Sequence, residues 1–139
     1  MGTSFVEYRR HGFWSWDGYL EHTLFLLAEA IGESPQEPWL SDVRDHWRQQ
    51  ASGIFTGWIH PDLDEYLTSE DRRNAILKLI DAVHSSAEVT PEVKATVEFL
   101  RRLIIGEIST DAASPLDYMV SGEHPYEWWV LRNVEMEGQ

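Results

Sequence analysis

The chain has 139 residues, no cysteine, and 24 acids against 11 Lys and Arg, for a net charge of −13. That length fits one domain around one core, and a content of 42% hydrophobic and 25% charged residues excludes a disordered or fibrous chain. Lack of cysteine excludes disulfides, thiolate catalysis and sulfur-ligated zinc, while the charge argues against nucleic acid and anionic membrane as partners and for a basic protein.

Residues 4–16 hold several aromatics and a glycine, and read as a short strand or an irregular lead-in that packs Phe13, Trp14 and Trp16 on the bundle. Four segments then carry helical periodicity. Leu20, Leu24, Leu27 and Ile31 form one apolar stripe, with Asp17 as N-cap and Gly32 as stop. Leu40, Val43, Trp47, Ala51 and Ile54 form a second, with Pro38 in the first turn and Gly53 and Gly57 loosening the end. The third helix begins at Thr68 or Ser69, Thr68 and Asp71 having the spacing of a capping box, and turns Ile76, Leu79, Ile80 and Val83 inward. Thr90-Pro91-Glu92 opens the fourth, cap followed by proline, and Val93, Val97, Leu100, Ile104 and Ile108 line one side. Residues 110–123, with Pro115 and Gly122, read as loop, and Pro125 starts a short terminal helix through Arg132. No repeat, linker or low-complexity stretch divides the chain. The expected fold is all-α: a single helical domain over residues 1–139, a bundle of four to five helices with a short irregular or extended N-terminal segment. Met1 to Arg10 contains no apolar run of signal-peptide length, and the longest apolar stretch, Phe25 to Ala28, is far short of a membrane span. A cytoplasmic location is expected.

Histidine is the first place to look for chemistry in a chain without cysteine. No two of His11, His22, His46, His60, His84 and His124 share a helix at the spacing that aims two imidazoles at one metal. Asp42 and His46 are four apart on the second helix, and His22 has Glu21 and Glu29 nearby, so a carboxylate and imidazole site between two helices can be drawn. Against it, Asp42 sits opposite the apolar stripe. There is no Gly-x-Ser-x-Gly and no phosphate-binding glycine loop, and Ser52, Ser69 and Ser121 read as helix ends or loop. No catalytic residue, metal ligand or cofactor is therefore assigned.

Binding features are richer. No Lys or Arg occurs between Arg10 and Arg44, between Arg48 and Arg72, or between Arg102 and Arg132, so the negative field is locally unbalanced. Of seven tryptophans, Trp39 and Trp47 fit the second helix as core. Trp128 and Trp129 are adjacent, so their side chains diverge and both cannot be buried without an unusual enclosure. Trp58, Asp62, Asp64, Glu65 and Tyr66 lie close together in the link between the second and third helices, without a compensating base. Rigid rings bordered by acids have the composition of a protein-binding hot spot, and the partner-binding residues expected are Trp58, Asp62, Asp64, Glu65, Tyr66, Trp128 and Trp129.

The run Gly57-x-x-x-x-x-Leu63-Asp64-Glu65-Tyr66-Leu67-Thr68, then Arg72 or Arg73 and the Ile76-Leu77-x-x-Ile80 helix, resembles small helical immunity proteins of bacterial polymorphic-toxin and contact-dependent inhibition systems over about residues 39–85. The resemblance implies a protein that neutralises a cognate toxin by occluding its active site. It transfers no site residues, because these families share neither one fold nor fixed functional positions. Three functions stand side by side: a non-enzymatic inhibitor whose acidic, aromatic face docks on a basic toxin; a helical-bundle metal-dependent enzyme using His22, Asp42 and His46; and a structural subunit or homo-oligomer that buries Trp128 and Trp129 against a copy of itself.

Overall fold

The computed structural model describes residues 2–55 and 57–107. Strands β1 (Thr3–Tyr8) and β2 (His11–Trp16) pair antiparallel across a two-residue turn at Arg9 and Arg10. Alternation fixes the two faces. Ser4, Val6 and Tyr8 oppose Ser15, Phe13 and His11, and Val6, Tyr8 and Phe13 enter the core. On the other face Phe5 packs on Trp14 with ring centroids 5.2 Å apart, and the edge of its ring covers Gly12 diagonally across the ladder. An all-α chain is thus corrected to a mostly helical one preceded by a hairpin. Aromatic and β-branched residues dominate this stretch, and they pack well on a pleated surface.

Helix α1 (Asp17–Ile31) follows β2 directly and buries Leu20, Leu24, Leu27 and Ala28 against α2, α4 and α5. Asp17, expected as its N-cap, is instead its first residue; Trp16 holds the cap position and makes no side-chain cap bond. The Asp17 carboxylate is committed to partners distant in sequence. Helix α2 (Pro38–Gln50) starts on Pro38 and buries Val43, Trp47 and Gln50. Its arginines join it to α1. Arg44 donates to the Gly32 and Glu33 carbonyls beyond the end of α1, and Arg48 pairs with Glu29 and Glu33. Ile54, expected to close the second apolar stripe, is 79% exposed, because the helix ends at Gln50 and Gly53, at φ 88°, turns the chain away.

A single helical turn, α3 (Leu63–Tyr66), buries Leu63 and is followed by buried Leu67. Nothing in the periodicity announces it, since one turn is shorter than the repeat that reveals a helix. Helix α4 (Glu70–His84) is capped by Ser69, not Thr68: the Ser69 hydroxyl accepts from Arg72 N at 3.2 Å. Ile76, Ile80 and Val83 are buried, and Leu79 is half-buried. Helix α5 (Pro91–Ile104) starts as its cap and proline require, with Thr90 accepting from Val93 N. Val93, Val97, Leu100 and Ile104 face inward, and Phe99 meets Phe13 of the hairpin at 5.4 Å. Ile108, the loop expected at 110–123 and the helix expected from Pro125 lie outside the described residues.

Gly12 is the tightest point of the hairpin. A β-carbon there would clash with the Val6 carbonyl oxygen and stand 2.7 Å from the Phe5 ring. The ring can swing, but the backbone carbonyl cannot move without opening the ladder. Gly12→Ala is therefore expected to destabilise the protein by about 3 kcal/mol, read as a lower denaturation midpoint in urea.

Candidate functional site

The link between α2 and α3 is the segment in which sequence places the acids and Trp58. Its backbone is held by side chains from three other elements. On one side, Asp17 of α1 accepts from the Ser4 hydroxyl at 2.6 Å and from Gly57 N at 2.7 Å, and Ser4 in turn accepts from Ile59 N at 3.1 Å. On the other, α2 contributes Gln50, accepting from His60 N at 2.8 Å, and Trp47, donating its indole N–H to the Pro61 carbonyl at 2.9 Å. His46 Nε2 lies 2.8 Å from both the His60 carbonyl and Asp62 Oδ2. A surface loop normally satisfies its backbone groups with water. Here protein groups do it, and Ile59 is drawn into the core.

Trp58 stands between these ties with its side chain 72% exposed. The link runs back along the start of α1: Gly57 meets Asp17, and Gly53 lies beside the Glu21 carboxylate, one helical turn further on. Phe25, 49% exposed, is the next turn of that α1 face. Ile54 and Trp58 on the link and Phe25 on the adjoining helix are three large exposed apolar side chains. Phe25 and Ile54 were missed by sequence reasoning, which reads Ile54 as core. The one signal for Ile54 was its place between Gly53 and Gly57.

The expected acids are close together but unequally available. Asp62 is paired with His46, and Asp64 accepts from the Arg9 backbone N–H at 2.9 Å. Glu65 is exposed. With Glu7, Phe5 and His60 these three acids line a groove of about 250 Å³ between the hairpin and α3. Tyr66 is half-buried against His46. Burial holds its phenol above the usual range, and the carboxylates of Glu65, Asp62 and Asp42 push the same way. Trp128 and Trp129 lie outside the described residues. His22 and Asp42 are exposed, while His46 is turned to the link. Among the described residues, no three His, Cys, Asp or Glu side chains converge as metal ligands, and no helix is long and apolar enough to cross a membrane.

No protein-family model, curated protein or solved structure matches the chain.

Two outcomes test that geometry. Asp17→Asn keeps one acceptor but turns an amide N–H₂ toward a donor, either Ser4 or Gly57. We expect a loss of about 1–3 kcal/mol together with faster hydrogen exchange at the Gly57 and Ile59 amides. Glu21 is held above the usual carboxylate range by burial and then by Asp17. The folded protein thus keeps this proton to higher pH than the unfolded chain does, so the group's contribution to stability falls as pH rises through that interval and the penalty persists at neutral pH. Glu21→Gln should raise the melting temperature at about pH 7 and leave it unchanged at about pH 3, below the carboxylate range.

Proposed function

We propose that the protein is a non-catalytic binding protein of immunity type, which neutralises a basic toxin domain by covering its active or substrate-binding surface. The observation that carries this reading is Trp58, 72% exposed on a backbone tied to Asp17, Ser4, Gln50, Trp47 and His46. Leaving an indole in water forgoes the gain of burying it, about 1.5–3 kcal/mol for a large apolar side chain. That loss is recovered when a partner covers the ring. Because the backbone is already ordered, association does not have to order it, and more of the contact energy is available as affinity.

Charge supports the same reading. The groove lined by Glu7, Asp62, Asp64 and Glu65 adjoins the link that bears Trp58. In a chain of net charge −13, this steers cationic surfaces and repels polyanions. Labour is then divided: carboxylates set the encounter rate, and Trp58 with Ile54 and Phe25 sets the residence time.

The test is a pull-down from the native host with the full chain as bait, followed by surface plasmon resonance against the basic protein it captures; capture of no basic protein would count against the reading. Trp58→Ala should weaken binding at least about tenfold, the effect of a hot-spot ring, mainly through faster dissociation. Glu65→Lys should slow association and flatten its dependence on salt. An association rate indifferent to ionic strength, with affinity untouched by Trp58→Ala, would rule the reading out.

A further inference from the structure

The hairpin turn is built from the wrong residues for its geometry. Arg9 and Arg10 both have positive φ, 51° and 73°, which is the signature of the tight turn that matches the twist of two paired strands. Asn-Gly or Asp-Gly is favoured there, because Cβ crowds the following carbonyl in the left-handed region, a strain that Gly escapes and Asn or Asp offsets with a local hydrogen bond. Two consecutive arginines have neither advantage. In an acidic chain with 11 Lys and Arg, turn propensity does not account for placing two of them here.

The other arginines in the described part of the chain are already engaged. Arg44 pairs with Asp45, Arg48 with Glu29 and Glu33, Arg73 with Glu70, Arg101 with Asp81, and Arg102 with Glu107. Arg72 lies over the Trp39 ring at 4.8 Å. Arg9 rests on Tyr8, its guanidinium carbon 5.1 Å from the ring centroid; Asp64 accepts from the Arg9 backbone N–H, and among the described residues no carboxylate forms an ion pair with the guanidinium of Arg9 or Arg10. A guanidinium stacked on an aromatic ring keeps its N–H edge directed outward, available to a planar or tetrahedral anion.

Arg9 opens onto a groove of about 490 Å³ between the hairpin turn, the first turns of α4 and the end of α5. That volume falls in the range of small-molecule sites. Its polar rim is Arg9, Arg73, Asn74 and His11, with Glu70 the one carboxylate; Leu77, Leu103 and Ile104 supply an apolar floor. Glu70 is held by Arg73 at 3.0 Å, so the rim keeps the positive charge of Arg9 uncancelled. A cationic mouth above an apolar floor is complementary to a molecule with a charged head and an apolar body.

We propose that this groove binds a small organic anion, a carboxylate or phosphate head on a short apolar chain, with Arg9 on the head, Arg73 offsetting Glu70 beside it, and Leu77, Leu103 and Ile104 against the chain. Strain in the turn is then the cost of holding Arg9 at the mouth, as expected where backbone outliers sit at functional sites. This ligand site is separate from the proposed docking of a toxin on the Trp58 side and does not rest on it.

Isothermal titration of the full chain with octanoate, octyl phosphate and octanol tests the proposal. At least one of the two anions should bind saturably at one site, at least about tenfold tighter than octanol, and weaken with salt; whichever anion binds tighter names the head group. The decisive variant is Arg9→Asn with Arg10→Gly, which installs the residues the turn prefers. Its melting temperature should rise while anion affinity falls at least about tenfold, opposite signs that a purely structural role for the arginines cannot produce. Arg73→Gln, which leaves the Glu70 carboxylate unpaired at the rim, should weaken the anion and leave octanol unchanged. Equal binding of octanol, no saturable binding of either anion, undiminished binding by the Asn-Gly variant, or a melting temperature lowered by it would each overturn the proposal.

Discussion

Asp17 is a carboxylate 5% exposed with no arginine or lysine bonded to it among the described residues. Such a charge is tolerable only if fixed dipoles replace the water it loses. Three do so here: the Ser4 hydroxyl, the Gly57 amide, and the start of α1, where unpaired backbone N–H groups leave partial positive charge. Hydrogen bonds to an ionised acceptor are about twice as strong as neutral ones. One side chain thereby fixes the junction of β2 with α1, the edge of β1 and the course of the link between α2 and α3. Ser4 extends its reach by passing one bond to Asp17 and taking another from Ile59.

The two faces of the link then divide the work. Inward, Ile59, Leu63 and Leu67 complete the core and Trp47 is buried against them with its indole N–H satisfied by Pro61. Outward, Trp58 and Ile54 remain in water. The acids near this link are partly absorbed by the fold: Asp17 is structural, Asp62 pairs with His46, and Asp64 receives the Arg9 N–H of the hairpin turn. Asp62 itself has a positive φ of 55°, which a short polar side chain tolerates better than most, and the contact with His46 holds it there. Net charge alone thus overstates how many carboxylates stand free to meet a partner.

Four long helices were legible because each repeats its apolar residues along one face, and three of them carry a start signal, Pro38, Ser69 and Thr90-Pro91, that acts locally, within one turn. What sequence hid was long-range. Asp17 has the composition of a cap, but its partners are 13 and 40 residues away, and no local pattern encodes them. Ile54 sits at the right spacing for the second stripe, yet the helix had already ended. The hairpin is ambiguous in sequence between strand and irregular lead-in because its turn lacks Asn or Gly, the usual announcement of a two-residue connection. Of the candidate site, Trp58 and Glu65 are exposed, while Asp62 and Asp64 are spent in part on the fold and Trp128 and Trp129 lie beyond the described residues.

The ties from Ser4 and Asp17 also make the Trp58 surface depend on chain far from it. The bond from Ile59 to Ser4 spans 55 residues and that from Gly57 to Asp17 spans 40, whereas each helix holds itself by bonds between near neighbours. Weakening either tie therefore reaches the backbone under Trp58 while the helices keep their own bonds.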